Sequence, residues 1–209
     1  AGALIVLAVF PFWDYATSGL ETGLCIAWLG TIWWLLVTLA PGRELPTAIV
    51  IGLGPLVRPD LGRASVVFLV AAWFIARPSR RRTCALAAAA IALPLAYEVF
   101  RAGYYGTLVP LPALAKSASH AAWSRGFRYL LDFSRPYAIW IPLAILALLA
   151  GVALHRRLAG RRELAIVLAP VVTGVLLFVY VLRVGGDFMH ARMFLAPVFA
   201  IALPAFMLP

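Results

Sequence analysis

The chain has 209 residues, of which 64% are hydrophobic and 12% are charged. Soluble domains carry about 25% charged residues, so this composition excludes an ordinary soluble protein and predicts a polytopic membrane protein. The formal net charge of +10 does not indicate a nucleic-acid partner, because many of the arginines cluster in two short stretches between apolar runs, residues 77–82 and 156–162.

Eight apolar segments are predicted to be helices, since a helix satisfies its own backbone hydrogen bonds in hydrocarbon. They cover residues 1–13, 22–40, 46–57, 64–76, 83–100, 137–154, 164–182 and 193–208. The third and fourth, at about 12 residues each, would rise about 18 Å, which is short of a ~30 Å hydrocarbon core. The sequence therefore predicts an all-α transmembrane bundle that contains a short helical hairpin with residues 58–63 at its tip.

The arginine clusters also predict how the chain is oriented. If they are cytoplasmic, strict alternation places residues 14–21, 58–63, 101–136 and 184–192 on the outer face of the plasma membrane. Most of the eight acids then lie on that face, namely Asp14, Glu21, Asp60, Glu98, Asp132 and Asp187. We therefore expect an extracytoplasmic site.

The long outer segment 101–136 carries aromatic residues at a helical spacing. Trp123, Phe127, Tyr129 and Phe133 would form an amphipathic helix, either as an anchor at the membrane interface or in contact with a substrate. Loops of this length inside compact folds are usually functional.

Two outer motifs lie near the start of the chain. Glu21 follows Ser18 or Thr17 at a spacing that fits a helix-capping box, although Glu21 could instead face a polar cavity. Arg58 and Asp60 flank a proline, so they either pair with each other or bind a ligand. Arginine suits a phosphate ligand because its planar fork makes paired, charge-assisted hydrogen bonds.

Further candidates follow in the long outer segment. Tyr104 and Tyr105 precede a glycine turn, and Lys116 is the only lysine of the chain. A lysine can bind phosphate as a compact point charge, although a single one can equally be incidental.

The segment 185–192 places an acid, an imidazole and a guanidinium between two apolar runs. Two glycines predict a helix end that leaves Asp187 to point inward. Arg183 or Arg192 could pair with Asp187, or Asp187, His190 and Arg192 could form part of a site. Ionisable groups at a membrane boundary favour a site. No cofactor is named from these residues, and a divalent cation is left open, since one His and one Asp give no recognised ligand spacing.

The motifs together resemble a known family. SGLET at 18–22, RPD at 58–60, RxGYYGxLVP at 101–110 with Lys116, and GGDFMHAR at 185–192 occur in this order. This pattern resembles the GT-C superfamily of membrane glycosyltransferases. WSRG at 123–126, DF at 132–133 and PY at 136–137 narrow the resemblance to the actinobacterial terminal β-(1→2)-arabinofuranosyltransferase family. Residues 1–209 would then form a partial transmembrane GT-C domain, with an upstream catalytic loop and a downstream soluble domain outside the chain.

The resemblance implies transfer of arabinofuranose from decaprenyl-phospho-arabinose to a glycan acceptor of arabinogalactan or lipoarabinomannan, next to membrane lipid. It assigns Arg58, Lys116 and Arg192 to the lipid phosphate. Asp60, Asp187 and His190 would orient the sugar or the acceptor, with the two carboxylates as catalytic groups and the principal base upstream of Ala1. Glu21, Tyr104 and Tyr105 are further candidates for substrate binding. The chain departs from many relatives at Leu111, where they have Asn.

Two other functions stay open at this point. Another polyprenyl-phosphate sugar transferase, for example a mannosyltransferase, would carry similar motifs. A transporter or lipid flippase would instead show interrupted helices at matching positions of two halves, and the sequence has only one short pair. ATPase, dinucleotide and zinc-protease functions lack their motifs in this chain.

Overall fold

The computed structural model describes residues 7–108, 121–138, 141, 144 and 160–207, and these form nine α-helices with no strand among them. The helices are α1 (Pro11–Ala16), α2 (Glu21–Val37), α3 (Glu44–Gly52), α4 (Gly54–Val57), α5 (Gly62–Ala76), α6 (Arg80–Tyr105), α7 (Trp123–Tyr137), α8 (Arg161–Val184) and α9 (Arg192–Ala202). Two 3₁₀ turns cover Pro59–Leu61 and Leu203–Met207. The predicted all-α class is confirmed.

Three helical stretches are long and apolar enough to cross a membrane: Pro59–Ala76, Arg80–Tyr105 and Arg161–Val184. Three shorter apolar stretches accompany them, Glu21–Val37, Glu44–Val57 and Arg192–Phe206. The chain is thus a membrane protein, as the composition indicates. The predicted segment 137–154 lies almost wholly outside the described residues.

Helix α8 is the centre of the bundle, since it packs against α5, α7 and α9, while α9 also packs against α2. Two apolar clusters form around it. One includes Leu29, Phe68 and Leu177, and the other includes Phe133 and Phe194, all with no exposed surface. The second cluster lies beneath the segment 185–192 and gives that loop a rigid base.

The hairpin differs from its prediction in the second arm. Its first arm is short, as predicted, since α3 and α4 together cover only residues 44–57. The second arm begins at Pro59 instead of residue 64, since proline at the first helical position starts the 3₁₀ turn that leads into α5. The charged tip is therefore part of a helical arm that is long enough to span.

Both arginine clusters, as far as they are described, lie at one end of the bundle. Arg82 Nη2 contacts Glu44 Oε2 at 2.9 Å, and Arg162 Nη2 donates to the carbonyls of Val37 and Leu39 at 2.9 Å each. Those partners end α2 and begin α3. The hairpin tip and the segment 185–192 come at the far ends of the helices that start there.

The backbones of α3 and α6 touch at one point. A Cβ built on Gly52 would lie 2.0 Å from the carbonyl oxygen of Ala90, which is a backbone atom that cannot rotate away. Small residues permit this close approach of helices in a membrane protein.

We expect Gly52→Ala to separate α3 from α6 and to lower the stability by about 2 kcal/mol, as overpacking typically does. The measurement is thermal unfolding of the detergent-solubilised full-length protein. Gly103→Ala on α6 is the matched control, because a Cβ there meets nothing within 4 Å. Equal effects of the two substitutions would contradict the close contact as the cause.

Candidate functional site

The first polar cluster is the Arg58 centre, formed by Glu21, Cys25, Arg58, Asp60, Arg63 and Tyr180. Arg58 Nε donates to Asp60 Oδ1 at 2.6 Å and Nη2 donates to Oδ2 at 2.9 Å, so the pair is bidentate. The side chains are 13% and 5% exposed. The alternative of a mutual ion pair is thus present, and it fixes the orientation of the guanidinium.

Residues from two other helices surround this pair. Glu21 and Cys25 on α2 lie close to the guanidinium of Arg58. The guanidinium of Arg63 lies 4.3 Å from the centre of the Tyr180 ring on α8, at cation–π distance. The tip is thereby tied to both helices that pack beside it.

The capping box predicted for Ser18 and Glu21 is wrong. Helix α2 begins at Glu21 itself, and its N-cap residue Leu20 makes no side-chain capping bond. The Ser18 hydroxyl is used within its own turn, where it donates to the carbonyl of Tyr15 and accepts from the amide of Leu20. Glu21 lies at the first turn of α2 within the Arg58 centre, and its role towards a polar cavity stays a prediction.

The second polar cluster is the Arg192 centre, formed by Tyr15, Tyr129, Asp132, Asp187, His190 and Arg192. Arg192 Nη2 lies 2.5 Å from Asp187 Oδ2, and the side chains are 15% and 3% exposed. Asp187 Oδ1 also accepts from the amide of Phe188 at 2.8 Å. As predicted, α8 ends in a left-handed glycine, Gly185 at φ 88°, and Asp187 turns inward.

Helix α7 clamps the loop between Asp187 and Arg192. The Tyr129 hydroxyl donates to the carbonyl of Met189 at 2.8 Å and accepts from the amide of Met193 at 3.2 Å. Burial raises the pKa of Tyr129 to about 12, so the phenol keeps the proton that it donates at neutral pH. Arg125 adds hydrogen bonds to the carbonyls of Val184 and Gly185.

The loop contains a strained residue directly before Arg192. Ala191 has φ 63° and no exposed surface, and the amide of Arg192 donates across it to the carbonyl of His190 at 2.7 Å. A left-handed alanine costs of order 1 kcal/mol and persists only where its surroundings fix it. The tight turn separates His190, which pairs with Asp132, from Arg192, which pairs with Asp187.

His190 is paired with a carboxylate that the sequence analysis did not select. Its Nδ1 lies 2.6 Å from Asp132 Oδ2 of α7, and the two side chains are 39% and 63% exposed. The hydroxyl of Tyr15 donates to the backbone carbonyl of His190 at 3.0 Å. His190 therefore has a fixed ring and an accessible edge, which suits contact with a polar ligand.

An open cavity of about 420 Å³ lies beside this carboxylate on the outer side of α7. Arg128, Asp132 and Arg135 line it together with Leu131 and Pro136. The predicted amphipathic helix is present as α7, with Tyr129 and Phe133 buried against α8 and α9. Trp123 and Phe127, the other two aromatic residues of the predicted stripe, are exposed.

The two centres lie at the same end of the bundle. Tyr180 belongs to the first and Gly185 leads into the second, and they are roughly 7 Å apart along the axis of α8. Tyr104 and Tyr105 lie elsewhere, at the exposed end of α6, where Tyr104 stacks on Phe100 at 5.4 Å. Lys116 lies outside the described residues.

The described residues contain no group of three or more His, Cys, Asp or Glu side chains that could hold a metal ion. In the two centres, the carboxylates of Asp60 and Asp187 are each paired with a guanidinium group.

Three residues of the Arg192 centre were not among the predicted site residues. Tyr15, Tyr129 and Asp132 join the loop from 175, 60 and 58 residues away, and no local pattern marks such contacts. Asp132 had one signal, because it is an acid on an otherwise basic and aromatic amphipathic segment.

Two known proteins match the chain throughout. It is 42% identical over 236 residues to a terminal β-(1→2)-arabinofuranosyltransferase of Mycobacterium tuberculosis, and 39% identical over 246 residues to one of Corynebacterium glutamicum. The chain is homologous to terminal β-(1→2)-arabinofuranosyltransferases. It spans 38% and 35% of the lengths of these arabinofuranosyltransferases, with all of its own residues aligned. No protein-family model and no solved structure matches it.

Removing one partner of a buried ion pair should lower the stability of the fold more than replacing both partners by apolar residues. In this arabinofuranosyltransferase homologue, Asp60→Ala leaves the Arg58 guanidinium buried without its carboxylate and should destabilise the fold by about 3 kcal/mol. The double variant Arg58→Met/Asp60→Leu should recover most of that loss. Thermal unfolding in detergent measures both.

The control for this pair is Glu44→Ala, whose partner Arg82 is half exposed, and we expect little change there. A double variant that is no more stable than Asp60→Ala would contradict the desolvation argument.

The glycine turn can be tested separately. A Cβ on Gly186 would lie 2.4 Å from the ring of Tyr129, at a φ of 72°. We expect Gly186→Ala to displace Tyr129 and to loosen the loop, with faster amide hydrogen exchange at Met193. Gly42→Ala, at φ 87° with open space around it, is the control for the backbone strain alone. Unchanged exchange in Gly186→Ala would refute the clamp.

Proposed function

We propose that the chain forms part of a membrane glycosyltransferase that moves arabinofuranose from decaprenyl-phospho-arabinose to a hydroxyl of the arabinan in arabinogalactan or lipoarabinomannan. Residues 1–209 correspond in this proposal to a partial transmembrane GT-C domain. The 42% identity, over all of this chain and 38% of a terminal β-(1→2)-arabinofuranosyltransferase, supports the reaction class. The observation that carries the site is the pair of buried, carboxylate-held guanidinium groups at one end of an apolar bundle.

Arg58 and Arg192 bind the phosphate of the lipid-linked donor. Each guanidinium has five N–H donors, and the contact with its carboxylate engages only Nε and Nη2 in Arg58 and Nη2 in Arg192. The remaining donors are pre-oriented, so little side-chain entropy is lost when a phosphate binds. Lys116 adds a third positive charge from the outer segment.

Asp60 and Asp187 have a double role in this proposal. They hold the guanidinium groups in place, and they orient the sugar hydroxyls next to the phosphate. His190, fixed by Asp132, contacts the acceptor glycan from the cavity beside α7, while Glu21, Tyr104 and Tyr105 contribute to substrate binding. The principal base, which takes the proton of the acceptor hydroxyl, comes from a part of the protein upstream of Ala1.

The membrane orientation follows the charges. Arg82 and Arg162 cluster at the end of the bundle opposite the two centres, and short basic segments favour the cytoplasm. The two centres then face the outside of the plasma membrane in a multi-pass protein. An extracytoplasmic site suits a reaction that uses a polyprenyl-linked sugar and a cell-wall acceptor.

We expect Arg192→Ala in the full-length enzyme to lower transfer from decaprenyl-phospho-arabinose by about 100-fold, because one charged donor to the developing negative charge is lost. Arg192→Lys keeps the charge without the planar fork and should lose less. Asp187→Asn tests the carboxylate at constant shape. The measurement is the initial rate of arabinose transfer to a synthetic arabinan acceptor.

Arg161→Gln is the control, since Arg161 starts α8 at the opposite end of the bundle and is exposed. Thermal unfolding of every variant separates loss of folding from loss of chemistry. Wild-type rates from well-folded Arg192→Ala would contradict the assignment. Transfer of mannose in place of arabinose by the wild-type enzyme would support the alternative sugar specificity.

A further inference from the structure

A second cavity lies at the opposite end of the bundle from the two centres. Its volume is about 300 Å³, and its lining is almost entirely apolar, with contributions from α3, α5 and α6. Ala48, Leu69, Ala72 and Leu86 form its walls, and Val70 and Trp73, which are 49% and 45% exposed, line it as well. The cavity therefore opens sideways, towards the surface that these helices present to lipid.

One end of this cavity lies next to a group of arginines. Glu44, Pro78 and Thr83 line that end, and Arg82 Nη2 lies 2.9 Å from Oε2 of Glu44. Exposed arginines adjoin these lining residues in the chain: Arg43 precedes Glu44, Arg77 precedes Pro78, and Arg80 and Arg81 lie just before Thr83. Five arginines are therefore close in the chain to residues that line this end, and Glu44 is the one acid among the lining residues.

An apolar pocket with a cationic rim is complementary to a molecule that has a hydrocarbon chain and an anionic head. A purely apolar ligand would gain nothing from the arginines, and a free phosphate would gain nothing from the cavity. Trp73 lies one turn before Arg77, which is the order of aromatic and basic residues at a membrane interface. Clusters of four to eight basic residues beside a membrane helix attract anionic phospholipids.

We propose that this cavity is a binding site for an anionic phospholipid of the adjacent leaflet. One acyl chain lies between α3, α5 and α6, and the phosphate of the headgroup contacts Arg80 and Arg81. The occupied cavity fills the space beneath α6, a helix that otherwise packs mainly on α3. The site uses no residue of the Arg58 or Arg192 centre, so it stands or falls independently of the proposed function.

The test uses the full-length protein, delipidated in detergent, with dioleoyl-phosphatidylglycerol or dioleoyl-phosphatidylcholine added. We expect phosphatidylglycerol to raise the unfolding midpoint by about 4 °C at saturating lipid, and phosphatidylcholine to raise it much less. Native mass spectra should show one retained phosphatidylglycerol per chain.

Two variants test separately the contact with the lipid headgroup and the contact with the acyl chain. Arg80→Gln/Arg81→Gln removes two of the five arginines and keeps the Arg82–Glu44 pair, while Ala87→Trp fills the cavity. Each should lose most of the midpoint shift and the retained lipid. The matched controls are Arg128→Gln/Arg135→Gln, which removes two exposed charges from α7, and Ala88→Trp, one residue along α6 from the lining position. Both controls should keep the response.

Three outcomes would overturn the proposal. An equal shift with both lipids would mean that the rim does not select an anionic head. A full phosphatidylglycerol shift in Ala87→Trp would mean that the cavity does not hold the chain. A wild-type protein that neither shifts nor retains lipid would mean that another part of the protein fills the cavity.

Discussion

Buried charge is the constraint on which the polar end of this bundle depends. A guanidinium placed among apolar helices is costly unless a carboxylate accompanies it, and Arg58–Asp60 and Arg192–Asp187 meet that condition with side chains at most 15% exposed. Each pair lies at a helix start, on the tip before α5 and at the first residue of α9. The pairs therefore determine where positive charge can be presented to a ligand at this end of the bundle.

The pairing partners are close in sequence, which is why both pairs could be anticipated as alternatives. Asp60 is two residues from Arg58, separated by a proline, and Asp187 is five residues from Arg192. The helices could be predicted from the sequence because an apolar run in hydrocarbon has few conformations open to it other than a helix. The end of α8 was marked by Gly185, which reaches the left-handed region without strain.

The features that the sequence did not predict depend on contacts between residues that are far apart in the chain. Asp132 becomes the partner of His190 only because α7 packs against α8 and α9, and nothing in its neighbourhood in the chain indicates that. The predicted capping box is absent because the Ser18 hydroxyl forms its hydrogen bonds within its own turn, with the carbonyl of Tyr15 and the amide of Leu20. Such local bonds compete with capping of the next helix. The second hairpin arm was underestimated because charged residues at the tip obscured a helix that Pro59 begins.

The Tyr129 clamp has a consequence for the order in which the protein is assembled. The loop from Asp187 to Arg192 has few hydrogen bonds of its own, and its shape comes from a hydroxyl 60 residues earlier and from Tyr15, 175 residues away. Contacts so far apart in sequence form only after the intervening helices have docked, because closing the long loops between them costs entropy first. We therefore expect the guanidinium of Arg192 to reach its final position late in folding, after α7 and α8 have packed together.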